Sequence, residues 1–158
     1  MRRSEIVALN WADLEFSEDA LIVTIRRSKT DKAGKGQVVA ILRSGTDTCA
    51  VSALELWREK LNERGFRDGP VFRTRTGARM IAERVATITK RWAKAIGVDP
   101  KTVAAHSWRH GCITDMNRAG VNLKDGMAHS RHKVSTTYLN YVEMDIAKKN
   151  PALAALRV

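Results

Sequence analysis

Residues 102–141 hold most of the side chains suited to chemistry, including all four histidines and both tyrosines of the 158-residue chain. His106 and Arg109 form an H-x-x-R unit, and His129 and His132 lie shortly before Tyr138 and Tyr141. A guanidinium one helical turn from a histidine can grip two phosphate oxygens in a way that lysine cannot. A tyrosine phenol, with a pKa of about 10, becomes a nucleophile only beside a proton acceptor or in a strongly positive site. Nine residues separate His132 from Tyr141, and nine also separate His129 from Tyr138, so two pairings are open. The rival chemistry is a zinc-dependent hydrolase, since His106 and His110 stand i,i+4 and His129-x-x-His132 adds two donors. It is disfavoured: no Glu follows His106 as in H-E-x-x-H, and Arg109 would bring a positive charge to the ion. No metal or other cofactor is expected.

These residues need helices to position them. A helix opening at His106 and closing at Gly120 would carry Arg109, and a further one capped by Ser135 would carry both tyrosines near one another. Upstream, residues 81–96 place Ile81, Val85, Ile88, Trp92 and Ile96 at helical spacing, which predicts a buried apolar face. Residues 47–64 do the same with Val51, Leu54, Trp57 and Leu61, and Gly65 is the stop. Residues 14–16, 21–25 and 37–42 read as β-strands, the last two joined by a basic, glycine-bearing hairpin loop. Ser4 is the expected cap of a first short helix. The elements predict an α+β, mainly α, chain with a small three-stranded antiparallel sheet, and show no internal repeat or linker.

Charge points to the partner. Lys and Arg number 28 against 17 acids, a net charge of +11. The surplus is spread over both halves rather than gathered in a tail, so a folded basic surface is expected, facing a polyanion. Candidate backbone contacts are Arg27, Lys32 and Lys35 on the hairpin, Arg73 and Arg75 (with Arg79) on the 66–79 loop, and Arg84, Lys90 and Arg91 on the 81–96 helix. No apolar run is long enough to cross a bilayer, and no signal peptide is visible, so a cytoplasmic protein without membrane contact is expected. Cys49 and Cys112 have no metal-binding spacing and are expected as buried thiols.

The ordered set resembles the C-terminal catalytic domain of tyrosine recombinases, the phage integrase family. Arg2-Arg3-Ser4-Glu5-Ile6 matches the family's Arg-x-Ser-Glu-Leu helix start, and Leu9-Asn10-Trp11-Ala12-Asp13 its continuation. Ser28-Lys29-Thr30 matches its hairpin lysine, and His106-x-x-Arg109, Gly111, Thr114-Asp115-Met116 and Ala119-Gly120 its His-x-x-Arg segment. Arg131-His132-Lys133 resembles the family's Arg-Trp-Lys form, although Ser130-Arg131 stand where a glycine usually precedes this His or Trp.

The resemblance implies a helical recombinase catalytic domain over residues 1–158, without the family's N-terminal core-binding domain. It implies catalytic roles for Arg2, Lys29, His106, Arg109, His132 and the nucleophile Tyr141. It further implies metal- and ATP-independent cleavage and rejoining of double-stranded DNA through a 3′-phosphotyrosine. A homotetramer on DNA, joined through the C-terminal tail with its apolar segment at 151–156, and a nucleoid-associated location complete the picture. A non-catalytic DNA-binding relative, or an inactive integrase fragment, is the alternative.

Overall fold

The computed structural model describes residues 1–28, 31, 34, 36–140 and 142. Lys29, Lys32, Lys35, Tyr141 and the 151–156 segment lie outside the described residues. The chain divides into two compact units, Arg2–Ile88 and a second beginning at Thr89.

The first unit opens with α1 (Arg3–Ala8), a 3-10 turn (Trp11–Asp13) and strands β1 (Leu14–Phe16), β2 (Ala20–Ile25) and β3 (Gln37–Leu42). The strands form one antiparallel sheet in the order β1-β2-β3, with Val23 opposite both Leu14 and Val39. Alternation along β2 turns Leu21, Val23 and Ile25 to the core, where they are fully or nearly fully buried. Helix α2 (Ala50–Glu63) buries Val51 and Leu61, and Trp57 donates its indole N–H to the Val71 carbonyl at 2.8 Å. Arg43, just past β3, makes two hydrogen bonds of 2.8 and 2.7 Å to the Glu55 carboxylate, fastening the sheet to α2. Helix α1 is capped by Arg2 and Glu5, not by Ser4, because the Glu5 carboxylate reaches back to the Arg2 N–H at 2.6 Å.

Helix α3 (Ala82–Ala95) runs past the boundary between the units. Its burial differs from the periodicity. Thr89 and Ala93 are its buried residues, whereas Ile81, Ile88 and Trp92 are exposed, as is Ile96 just beyond its end. Small side chains one turn apart allow the closest approach, and Trp108 uses it by donating its Nε1–H to the Thr89 hydroxyl at 3.0 Å. The larger apolar groups Trp92, Ile96, Val98, Val103 and Trp108 instead line an open groove of about 410 Å³.

The second unit continues with α4 (Ser107–Arg118), α5 (Leu123–Ser130) and helical residues 135–140. Ile113, Tyr138 and Val142 form its buried cluster, with Met116 and Met127 packed against it. Cys49 is buried as expected, but Cys112 is exposed, because it lies beside Ile113 on α4 while only Ile113 turns to the cluster.

Candidate active site

The second unit assembles three of the expected groups. His106 is the N-cap residue of α4 and its carbonyl accepts the Arg109 and His110 N–H groups, both at 3.0 Å. Arg109 therefore stands in the first turn, half-buried, and its Nη2 donates to the Ser130 carbonyl at the end of α5. The same nitrogen lies 3.2 Å from His132 Nε2 and 3.4 Å from Nδ1. The α4–α5 packing thus brings the H-x-x-R arginine against the later histidine.

Ser130 organises the pair. Its hydroxyl donates to the Gly126 carbonyl at 2.7 Å, and His132 Nδ1 lies 2.7 Å from the same oxygen. One hydroxyl has one proton, so Nδ1 is the donor to Ser130, while Arg109 Nη2, nearly equidistant from the two ring nitrogens, is in line with neither lone pair. Between them Arg131 closes α5 with φ 57° and ψ 42°, the left-handed conformation that glycine adopts without penalty. It is the sole non-glycine residue with positive φ among those described. The site where the family usually carries glycine has kept glycine's backbone geometry under an arginine.

Of the two tyrosines, Tyr138 lies among the described residues. Tyr138 is 2% exposed, and its ring meets His132 edge-on with centroids 5.7 Å apart. Its hydroxyl lies over Gly126, where an added Cβ would come within 2.8 Å of the Tyr138 Cζ. Burial, and then the nearby Cys112, raise the Tyr138 pKa above its ordinary value. Its expected partner His129 is exposed. His110 is pushed down by partial burial and by His106.

The first unit holds Arg2. Its Nη1 donates to Glu5 Oε1 at 2.9 Å, with the Glu5 side chain 2% exposed and that of Arg2 23%. A buried carboxylate thus holds the partly open guanidinium from behind. Glu5 was missed, since Ser4 was expected as the cap; a glutamate at the third helical position is the signal that could have found it. Ser130 had no such signal, since its role depends on α5 packing against α4.

The expected backbone contacts divide. Arg27, Arg75, Arg84, Lys90 and Arg91 are exposed. Arg73 differs from expectation: Nε donates to the Pro70 carbonyl at 2.8 Å, Nη1 to Gly77 at 3.3 Å, and the guanidinium sits over Phe66 at 5.1 Å. The loop uses it as internal bracing because its own carbonyls need donors. Arg79 likewise donates to the Val7 carbonyl at 2.7 Å and to Asn10 Oδ1 at 2.6 Å. Among the described residues no three His, Cys, Asp or Glu side chains converge in a way that could hold a metal ion.

A mainly helical chain with a three-stranded antiparallel sheet and an H-x-x-R helix placed against a second histidine defines the class of tyrosine recombinase catalytic regions. The family model described as "Phage integrase family" matches residues 1–147, and the chain belongs to that family. The integrase/recombinase XerD homolog of Selenomonas ruminantium is 31% identical over 159 residues, spanning 96% of this chain and 46% of the relative. The crystal structure of XerA recombinase superposes with a TM-score of 0.73 at 19% identity, covering 95% of this chain and 52% of that one. XerH site-specific recombinase, crystallised on its palindromic difH substrate as a post-cleavage complex, also gives 0.73 at 19% identity, covering 98% and 41%. The chain spans about half the length of the relatives it matches. No helix among the described residues is long and apolar enough to cross a membrane.

Proposed function

We propose that the chain is the strand-transferring part of a site-specific DNA recombinase. Arg2 and Arg109 bind the non-bridging oxygens of one phosphodiester and stabilise the charge that develops there, the task a metal ion performs in many nucleases. Tyr141 attacks the phosphorus, Lys29 protonates the departing 5′ oxygen, and a 3′-phosphotyrosine results. His106 and His132 orient the phosphate and pass protons. The intermediate keeps the energy of the phosphodiester, so the 5′ hydroxyl of another strand reverses the step without ATP. Exposed Arg27, Arg75, Arg84, Lys90 and Arg91, with Lys32 and Lys35, contact the duplex backbone. The family's tail-mediated tetramer on DNA, and a place in the nucleoid, extend the same reading.

The observation that carries it is the α4–α5 cluster, in which Arg109 lies against His132 and Ser130 holds the ring through Nδ1. Tyr141 is favoured as nucleophile over Tyr138 by two supports. Tyr138 is enclosed in the core with a raised pKa, and the left-handed turn at Arg131, directly before His132, supports pairing that histidine with Tyr141. That no three possible donors converge among the described residues weighs against the zinc hydrolase.

The test uses a library of nicked duplexes with randomised sequence around the nick, incubated with the protein in excess EDTA. Denaturant-resistant protein–DNA adducts are expected. Retarded bands without adducts would instead favour the non-catalytic binding relative, and cleavage abolished by EDTA the metal enzyme.

A further inference from the structure

The first unit contains a second arginine held as Arg2 is. Asp13 closes the 3-10 turn with its side chain 4% exposed, and Oδ1 accepts from Arg26 Nε at 2.5 Å. Its other oxygen accepts the Asn10 N–H at 2.8 Å. Asn10 in turn accepts from Arg79, which also binds the Val7 carbonyl of α1. The carboxylate is therefore fixed on both sides and cannot follow its partner into solvent. Arg26, the first residue after β2, is 61% exposed along its side chain, and Asp13 is its sole partner among the described residues. Glu5 and Asp13 line one cavity of about 230 Å³ together with Thr24, Arg26 and Arg27.

This geometry is wasteful for stability alone. An exposed ion pair contributes little, and the burial of the carboxylate is compensated by one Nε contact and the Asn10 N–H, neither of which needs the rest of the guanidinium. It is well suited to presentation. A carboxylate that takes Nε fixes the guanidinium plane and leaves the two terminal nitrogens directed outward, the edge that matches phosphate oxygens. The parallel with Arg2, whose carboxylate partner Glu5 lines the same cavity, gives the ligand's chemistry.

We infer that Arg26, oriented by Asp13, forms a phosphodiester-binding subsite on the cavity shared by Glu5 and Asp13 and contacts a DNA backbone phosphate. The subsite rests on the DNA-binding reading above. It makes Arg26 a binding residue and Asp13 a positioning residue.

The experiment measures binding of a short fluorescein-labelled duplex at several salt concentrations for the wild type, Arg26→Ala, Arg26→Lys and Asp13→Asn. Loss of one phosphate contact lowers the slope of log K against log salt by about 0.9. Arg26→Ala is expected to show that drop. Arg26→Lys is expected to resemble it, because an ammonium drawn to Asp13 has no second edge to offer. Asp13→Asn removes a negative charge from a basic protein, which by bulk electrostatics tightens binding; weaker binding is expected instead. Thermal melts show which variants are folded, and Arg26→Ala, altered at an exposed side chain, decides the matter if Asp13→Asn is not. An Arg26→Ala slope equal to wild type overturns the subsite, and tighter binding by folded Asp13→Asn overturns the positioning role. A wild type that binds no DNA overturns the recombinase reading itself.

Discussion

The Ser130 hydroxyl stands 2.7 Å from both the Gly126 carbonyl and His132 Nδ1, so giving its single proton to the carbonyl leaves the serine to accept from Nδ1 and fixes a hydrogen on that nitrogen. Ser130→Ala frees the ring to take the other tautomer. One hydrogen bond of this kind is worth about 1 kcal/mol, so covalent adduct formation should fall roughly five- to tenfold with duplex affinity unchanged. Equal adduct rates in the two proteins would dismiss the serine's role.

Glu5→Gln keeps the shape of the cap but removes the charge behind Arg2. A charge-assisted bond of this type contributes about 2 kcal/mol, and the thermal midpoint should drop accordingly. Adduct formation should fall further than binding does, because the guanidinium is less well aimed. A loss confined to binding would mean that Glu5 acts only on affinity.

Tyr141→Phe should abolish the adduct, whereas Tyr138→Phe should retain it. A buried tyrosine with a raised pKa resists ionisation in the folded state only. Stability is then full below the ordinary value of about 10 and declines as pH rises through the raised value. Tyr138→Phe should remove that alkaline decline in denaturation curves. An adduct formed by Tyr141→Phe but not by Tyr138→Phe would reverse the pairing.

Arg131→Gly should stabilise the protein. A non-glycine residue in the left-handed region costs about 1 kcal/mol, partly offset by the greater entropy of glycine when unfolded. A gain of roughly 0.5 kcal/mol in urea unfolding is expected. A loss of comparable size would show that the arginine side chain outweighs its backbone cost.

Cys49 gives a pH dependence outside the proposed site. As the N-cap residue of α2 its thiol is lowered from 9.0 to about 6, first by hydrogen bonding from the Ser52 backbone, then from its side chain and from Ser44. A depressed pKa means that the folded state holds the thiolate while the unfolded chain is still protonated. Stability should therefore rise with pH between about 6 and 9, and Cys49→Ala should flatten that rise. Superimposable pH profiles would exclude a native thiolate.

What was local in the chain was legible in advance. The alternation of Leu21, Val23 and Ile25 specified β2, and the H-x-x-R spacing placed Arg109 one turn from His106, because both depend only on backbone period. The α3 face shows where this stops. Periodicity cannot rank Ile88 against Thr89 for burial, since the answer depends on which side chain Trp108 approaches. The same holds among arginines: Arg73 and Arg26 look alike in sequence, yet one braces carbonyls of its own loop and the other is held outward by Asp13.

The sequence by itself determined the family, the order of the elements and the residue types available for phosphoryl transfer. Spacing alone left the two tyrosines equal, because both histidine–tyrosine pairs stand nine residues apart, and only the resemblance around Arg131-His132-Lys133 favoured Tyr141. What tertiary structure decided is the enclosure of Tyr138 against Gly126 and the hydrogen bond between Ser130 and His132. Burial and hydrogen-bond partners are properties of distant segments meeting, and spacing along the chain does not carry them.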